Sequence, residues 1–222
     1  MNSSPACPHE VAVEIGGVPI LLRTEDLPFR DMLTARYRDF LCPGSRPRFE
    51  FDVLLVVPDS AMESDEDVSV SMQDGRWSLR RGDFRAEWDP RSGHGIIRQS
   101  ANPYSIDTVL RIVHTLILAR DAGFLLHAAS AVRGQNAFLF SGVSGAGKTT
   151  ISSLAPADVT LLTDEISYIR QVSGQYRAFG TPFAGELARP GANCHAPIST
   201  LFFLEKGPSN RRIPMAKPEA VR

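Results

Sequence analysis

Lysine is scarce in this chain: three lysines stand beside 21 arginines among 222 residues. Cysteine is scarce as well, and the odd number and wide spacing of Cys7, Cys42 and Cys194 favour neither a disulfide framework nor a zinc site. The net charge of −1 gives no general attraction to nucleic acid or to an anionic membrane. These absences predict a cytoplasmic protein that binds neither nucleic acid nor a membrane.

The sequence also lacks a long apolar run. Its longest apolar stretch, residues 109–118, is interrupted by Arg111 and His114, whereas a spanning helix needs about 20 apolar residues. The N-terminus lacks the charged-then-apolar order of a signal peptide. Apolar residues nevertheless make up 43% of the chain, which is enough for a globular core in one or two domains.

One of the rare lysines, Lys148, lies in a glycine-rich motif at residues 141–150 that has the spacing of a phosphate-binding loop, or P-loop. Glycines let successive backbone N–H groups surround a polyphosphate, and the following helix adds its positive end. Lys148 can reach the outer phosphates, and the hydroxyl of Thr149 can hold Mg²⁺. The residues predicted to bind the nucleotide are Gly142, Val143, Ser144, Gly145, Ala146, Gly147, Lys148, Thr149 and Thr150.

The surroundings of the motif support this interpretation. Residues 137–140 form a short apolar run that predicts a buried strand, and residues 149–154 predict a short helix that ends before Pro156. Strand, glycine loop and helix in this order are the arrangement that a P-loop requires.

A carboxylate follows the next predicted strand. Asp164 lies at the end of the apolar run 159–163, 16 residues after Lys148, which is enough for a two-turn helix and one returning strand. We therefore expect this strand to neighbour the P-loop strand and to place Asp164 at the metal. Glu165 is a second candidate, although adjacent side chains of a strand face opposite ways.

The patterning of the chain changes near residue 102. Before it, the runs on either side of Gly16 and Gly17 predict a β-hairpin, and short alternating runs within residues 68–98 predict an antiparallel meander. With one helix predicted at residues 29–40, this region is β-rich. After it, we expect a helix over residues 105–122 capped by Ser105, and buried strands that include residues 199–205. We interpret residues 1–102 as a β-rich, substrate-recognising region and residues 103–222 as a P-loop nucleotide-binding, kinase-like domain.

Residues 125–128, 141–150 and 161–166 resemble the kinase domain of HPr kinase/phosphorylase and its relatives. Residues 180–186 and 198–207 resemble the smaller HPr-kinase-like proteins rather than true HPr kinase, which carries an arginine-containing glycine loop not recognisable here. The resemblance implies an α/β fold similar to the phosphoenolpyruvate carboxykinase core: a mixed β-sheet with a P-loop and helices, preceded by a β-rich N-terminal part.

The resemblance also implies roles for individual residues. The cofactors are ATP and Mg²⁺, and Asp164 and Glu165 match an acidic pair that binds the metal and deprotonates a serine hydroxyl. That family usually has two aspartates, so either residue could be the base. His127 matches a histidine before the loop, and Glu186 is implied as a metal ligand beside Thr149. The implied partner is a peptide or small-protein acceptor, and related proteins form homo-oligomers.

Other interpretations stay open. The chain could be a nucleotide-binding accessory protein that switches a partner without catalysis, or a phosphotransferase that acts on a small molecule. No group of residues suited to a small dicarboxylate is visible, which counts against the second alternative. Cys194 and His195 are a candidate metal-ligand pair, but the sequence offers no second pair to complete a site.

Overall fold

The described part of the chain contains two β-sheets and a few helices. The computed structural model describes residues 8–57 and 67–216. Strands predominate, and the structure is mixed α/β, so the predicted α/β class is confirmed at this coarse level. The described residues contain no helix of the length and apolar character that a membrane span requires.

The first sheet contains seven strands in the order β1-β2-β3-β7-β6-β5-β4. The strands are β1 (His9–Ile15), β2 (Val18–Thr24), β3 (Phe49–Leu55), β4 (Ser69–Gln73), β5 (Arg76–Arg81), β6 (Phe84–Asp89) and β7 (His94–Gln99). The β1–β2 hairpin turns at Gly16 and Gly17, which both have positive φ angles. The predicted hairpin and the β4–β7 meander are present, but β3 pairs in parallel with both β2 and β7.

Two helices precede the second sheet in sequence: the first lies between β2 and β3, and the second joins the two sheets. Helix α1 (Leu27–Arg36) begins at Asp26, whose side chain accepts a 2.7 Å hydrogen bond from Phe29 N, and a short 3-10 turn (Arg38–Phe40) follows it. Helix α2 (Pro103–Leu118) is capped by Asn102, so the prediction of Ser105 as the cap is wrong. The Asn102 side chain accepts from two backbone N–H groups at the start of the helix, and Pro103 occupies the first helical position.

The second sheet closes on itself. It contains β8 (Gly123–Arg133), β9 (Asn136–Ser141), β10 (Val159–Thr163), β11 (Ile166–Val172), β12 (Gln175–Phe179) and β13 (His195–Phe203), and helix α3 (Lys148–Ser153) follows β9. The pairings β8–β11–β12–β13–β9–β8 form a ring, in which only β13–β9 is parallel. Strand β13 alternates between exposed and half-buried side chains after residue 198, so its prediction as a buried strand is wrong.

The long strand β8 separates the P-loop strand from the strand that precedes Asp164. β9 pairs with residues 128–133 of β8 through a tight turn, and β10 pairs with residues 130–133 on the opposite edge. The prediction that β9 and β10 are neighbours is therefore wrong, because the 11-residue β8 provides an edge for each of them. β10 and β11 then follow β8 as one interrupted strand, and the interruption is Asp164 and Glu165.

The largest apolar core joins the two halves of the chain. It contains buried residues of the first sheet, of α1 and of α2, together with Tyr168, Phe179 and Phe183 from the second half. A buried polar contact reinforces this junction: the Tyr37 hydroxyl donates a 2.6 Å hydrogen bond to Asp107 of α2, which also forms an ion pair with Arg36. Helix α2 is thus held against α1 at one end of the core.

Candidate functional site

The P-loop connects β9 to α3, and its glycines serve the conformation of the loop. Gly145 and Gly147 have φ angles of 75° and 116°, which side chains with a Cβ rarely adopt. Gly142 has a different reason to lack a side chain, since a Cβ there would lie 2.9 Å from the Cβ of Ala146 and 3.0 Å from the carbonyl oxygen of Leu204. The glycine spacing of the motif is therefore accounted for by the local structure.

Lys148 crosses the inside of this loop. Its side chain is 9% exposed, and its ammonium group donates to the carbonyl oxygens of Gly142 at 2.7 Å and of Val143 at 3.2 Å. A buried ammonium group requires such partners. These two carbonyl groups consequently hold the positive charge inside the loop.

A pocket of about 460 Å³ lies beside Lys148 and Asp164. It is lined by His127, Ser144, Gly145, Gly147, Lys148, Thr149, Thr150, Asp164, Glu165, Ala184, Gly185 and Glu186. The structure thus brings together all predicted catalytic and metal-binding residues. Of the predicted nucleotide-binding residues, Gly142, Val143 and Ala146 lie outside the lining of this pocket.

Asp164 is fixed by the loop at residues 185–187, in which only Glu186 was implied as a site residue, and only by the resemblance. Its carboxylate is 4% exposed and accepts backbone N–H hydrogen bonds of 2.9 Å from both Gly185 and Leu187, one on each oxygen. Each carboxylate oxygen has a second lone pair. The side chain is therefore oriented and still has acceptor capacity toward the pocket.

Glu186 of the same loop contacts the P-loop. The hydroxyl of Thr149 donates a 2.7 Å hydrogen bond to its carboxylate. Thr149, Glu186 and Asp164 offer the oxygen ligands that Mg²⁺ prefers, and a nucleotide-bound Mg²⁺ takes only one or two carboxylates because phosphates and water supply the rest. Among the residues that the structure describes, no group of three or more His, Cys, Asp or Glu side chains is arranged to hold a metal.

Glu165 faces a cation that the sequence interpretation did not assign to the site. Arg111 of α2 donates from Nη2 to Glu165 at 2.9 Å, and its guanidinium lies 5.0 Å from the ring centre of Phe183. The Nε of Arg111 is buried and has no hydrogen-bond partner in the described part of the chain. The sequence gives one signal for Arg111, which is its position inside an apolar helical stretch. A buried charge requires a partner, so this position predicts a nearby carboxylate.

Gly185 is the second residue that sequence reasoning missed. A Cβ at this position would lie 2.8 Å from the Cβ of Glu165 and 2.9 Å from Oδ2 of Asp164. The backbone of the loop can approach the acidic pair only because no side chain intervenes. No local pattern in the sequence reveals such a contact.

His127 and the Cys194–His195 pair have different positions. His127 lies on β8, exposed at the pocket, and its carbonyl oxygen accepts a 3.2 Å hydrogen bond from Ser141. His195 does not line the pocket, and its Nδ1 accepts a 2.9 Å hydrogen bond from Arg177. Burial and the charge of Arg177 lower the pKa of His195, and burial raises the pKa of the Cys194 thiol. Cys42 and Cys194 are free thiols, and Cys7 lies outside the described residues.

Comparison with known protein families gives one result. Residues 98–222 match the family model described as SynChlorMet cassette protein ScmC, which is more than half of the chain. The chain belongs to the ScmC family.

The identification with the HPr-kinase-like family is therefore wrong. Two of the features that supported it, the glycine-rich loop and the acidic pair, suit phosphate and metal binding in proteins of different families, so they do not distinguish families. No curated protein matches the chain.

Proposed function

We propose that this ScmC-family protein binds Mg²⁺-ATP in the pocket beside the P-loop and transfers the γ-phosphoryl group to a hydroxyl acceptor. The observation that carries the proposal is the position of Lys148 and the carboxylates of Asp164, Glu165 and Glu186 around one 460 Å³ pocket. A cation and backbone N–H groups suit the phosphates, and the carboxylates suit a metal and an acceptor proton.

In this proposal, the role of each residue follows from its position in the pocket. The loop amides and the Lys148 ammonium would bind the phosphates, and the ammonium would exchange its carbonyl partners for phosphate oxygens. Thr149, Asp164 and Glu186 would hold Mg²⁺, which neutralises charge on the phosphate oxygens when it is bound. Asp164 or Glu165 would accept the proton of the attacking hydroxyl as the bond from phosphorus to the ADP oxygen breaks.

The acceptor in this proposal is a serine hydroxyl on a peptide or small protein. Support comes from exposure: His127 and Glu186, two residues lining the pocket, are solvent exposed, so a hydroxyl on a larger molecule can reach them. The serine itself was implied only by the resemblance that the family match overturns. Assays should therefore offer threonine and small-molecule hydroxyls, and water, as alternative acceptors.

The test is a calorimetric titration of the protein with Mg²⁺-ATP. Lys148→Ala removes a charge-assisted contact worth about 1.5–3 kcal/mol, which is roughly ten- to a hundredfold in affinity. Lys206→Ala, the same change at an exposed lysine outside the pocket, should bind as the wild type does. Equal affinities of wild type and Lys148→Ala would refute the proposal. Tight binding with neither ATP hydrolysis nor transfer would instead favour the accessory-protein alternative.

A further inference from the structure

A second pocket of about 690 Å³ adjoins α3 and the end of the glycine-rich loop. It shares Gly147 and Thr150 with the phosphate pocket, and none of Asp164, Glu165 and Glu186 lines it. We propose that this pocket receives the base of the nucleotide whose phosphates occupy the first pocket. This inference rests on the proposed function and adds to it the location of the nucleoside.

The order of groups along a nucleotide supports this assignment. In a P-loop the backbone amides hold the α- and β-phosphates, whereas the lysine reaches the β- and γ-phosphates and the Ser/Thr hydroxyl holds the metal. The γ-phosphate must therefore point toward Asp164 and Glu165. The nucleoside is attached to the α-phosphate, at the opposite end of the triphosphate. It must therefore lie away from these carboxylates, where Gly147 and Thr150 line the second pocket.

The lining of the second pocket suits a planar aromatic ring. It is lined by Phe138 and Phe140 of β9, by Ile151 of α3 and by Leu154, which follows the helix. The ring of Phe140 stacks on Phe202 at 5.3 Å with an interplanar angle of 8°, so its orientation is fixed. Apolar pockets of this size bind small molecules, and stacking on aromatic side chains accepts every nucleobase.

A trough of about 470 Å³ beside the first half of the loop is the competing position for the base. It is lined by residues 142–146 and by Phe203 and Lys206, among others, and by neither Thr149 nor Thr150. Phe140 lines the second pocket and Phe203 lines the trough, and their strands β9 and β13 pair with each other. Substitution of each phenylalanine therefore tests one of the two positions.

The experiment compares Mg²⁺-ATP with Mg²⁺-tripolyphosphate, which has the phosphates without the base, as calorimetric ligands. The wild type should bind ATP at least about tenfold more tightly than tripolyphosphate, since aromatic stacking of a base contributes about this much. Phe140→Ala should lose most of that difference and bind tripolyphosphate as before. Phe203→Ala should leave both affinities unchanged.

A second variant addresses the same pocket by filling it. Ala131→Leu adds atoms to the lining of the pocket, next to Phe138 on the paired strand. It should weaken ATP binding without changing tripolyphosphate binding. Unchanged binding of tripolyphosphate also shows that each variant is folded. Equal binding of the two ligands by the wild type, or loss of ATP affinity in Phe203→Ala alone, would overturn the inference. If neither ligand binds, the proposed function itself fails.

Discussion

The backbone N–H of Gly185 donates a 2.9 Å hydrogen bond to Oδ1 of Asp164. This contact and the neighbouring hydrogen bond from Leu187 attach the loop at residues 185–187 to the end of β10. The same loop contacts the P-loop through Glu186 and Thr149. The loop therefore connects the predicted metal-binding residues on two separate elements, and its backbone conformation sets their spacing.

Gly185→Ala should disturb this spacing while leaving the fold intact. The added Cβ would lie 2.9 Å from Oδ2 of Asp164, so the loop or the carboxylate must shift. We expect a loss of about tenfold or more in phosphoryl transfer or ATP hydrolysis, because small displacements of positioned groups cost this much. Gly207→Ala, where the added Cβ would lie 3.7 Å from the carbonyl oxygen of Ser209, is the matched control. Wild-type rates in Gly185→Ala would show that the loop does not position the site.

Asp164→Asn should affect both the reaction and the loop. An asparagine amide has one acceptor oxygen, so it cannot accept the N–H groups of Gly185 and Leu187 on separate oxygens as the carboxylate does. We expect about a hundredfold or larger loss of rate and about 1–3 kcal/mol lower free energy of unfolding.

Glu165→Gln provides the comparison for Asp164→Asn, since its side-chain oxygen can still accept from Arg111. Urea unfolding and single-turnover kinetics measure the two effects separately. A small loss of rate in Glu165→Gln would identify Asp164 as the base, and a rate loss as large as that of Asp164→Asn would indicate that both carboxylates are required. Full activity of Asp164→Asn would remove Asp164 from the mechanism.

Arg111 should act by positioning Glu165. Arg111→Met removes the ion pair, so we expect kcat to fall about tenfold while the KM for ATP changes little, because loss of orientation acts on the chemical step. Arg111→Lys should recover part of the kcat, since a cation returns without the planar guanidinium. Arg120→Met, an exposed change just beyond α2, is the control. An unchanged kcat in Arg111→Met, or no recovery in Arg111→Lys, would contradict this role.

The sequence predicted local features well because local residues determine them. The β1–β2 hairpin and the P-loop depend on Gly16, Gly17 and the loop glycines, whose positive φ angles or close contacts are visible as motifs. The sequence also predicted that Lys148, Thr149 and Asp164 lie at one site, as they do in the pocket, although the adjacency of β9 and β10 on which this prediction rested is wrong. His127 was implied only by the resemblance.

Features that depend on long-range pairing were missed. Which edge of β8 accepts β9 and which accepts β10 is set by packing over the whole sheet, and both strands have similar apolar patterns. The Arg111–Glu165 ion pair joins residues 54 positions apart, and its formation depends on where α2 packs. Neither relationship leaves a periodic signal in the sequence.

His114 should make the stability of the protein depend on pH below neutrality. It is fully buried in α2, its Nδ1 lies 3.3 Å from the hydroxyl of Tyr168, and burial and the charges of Arg48 and Arg170 lower its pKa to about 3. An unfolded histidine has a pKa of about 6.5. Between these values the unfolded chain binds a proton that the folded chain excludes, so the free energy of unfolding falls as the pH falls.

His114→Gln should remove this dependence, which amounts to at most about 1.4 kcal/mol per pH unit for one proton. Urea unfolding from pH 7 to pH 4 measures the slope, and His127→Gln, at an exposed histidine, is the control. The wild type should lose stability more steeply than His114→Gln over this range, whereas above pH 7 their slopes should coincide. Parallel slopes down to pH 4 would mean that His114 becomes protonated in the folded protein, in spite of its burial against Tyr168.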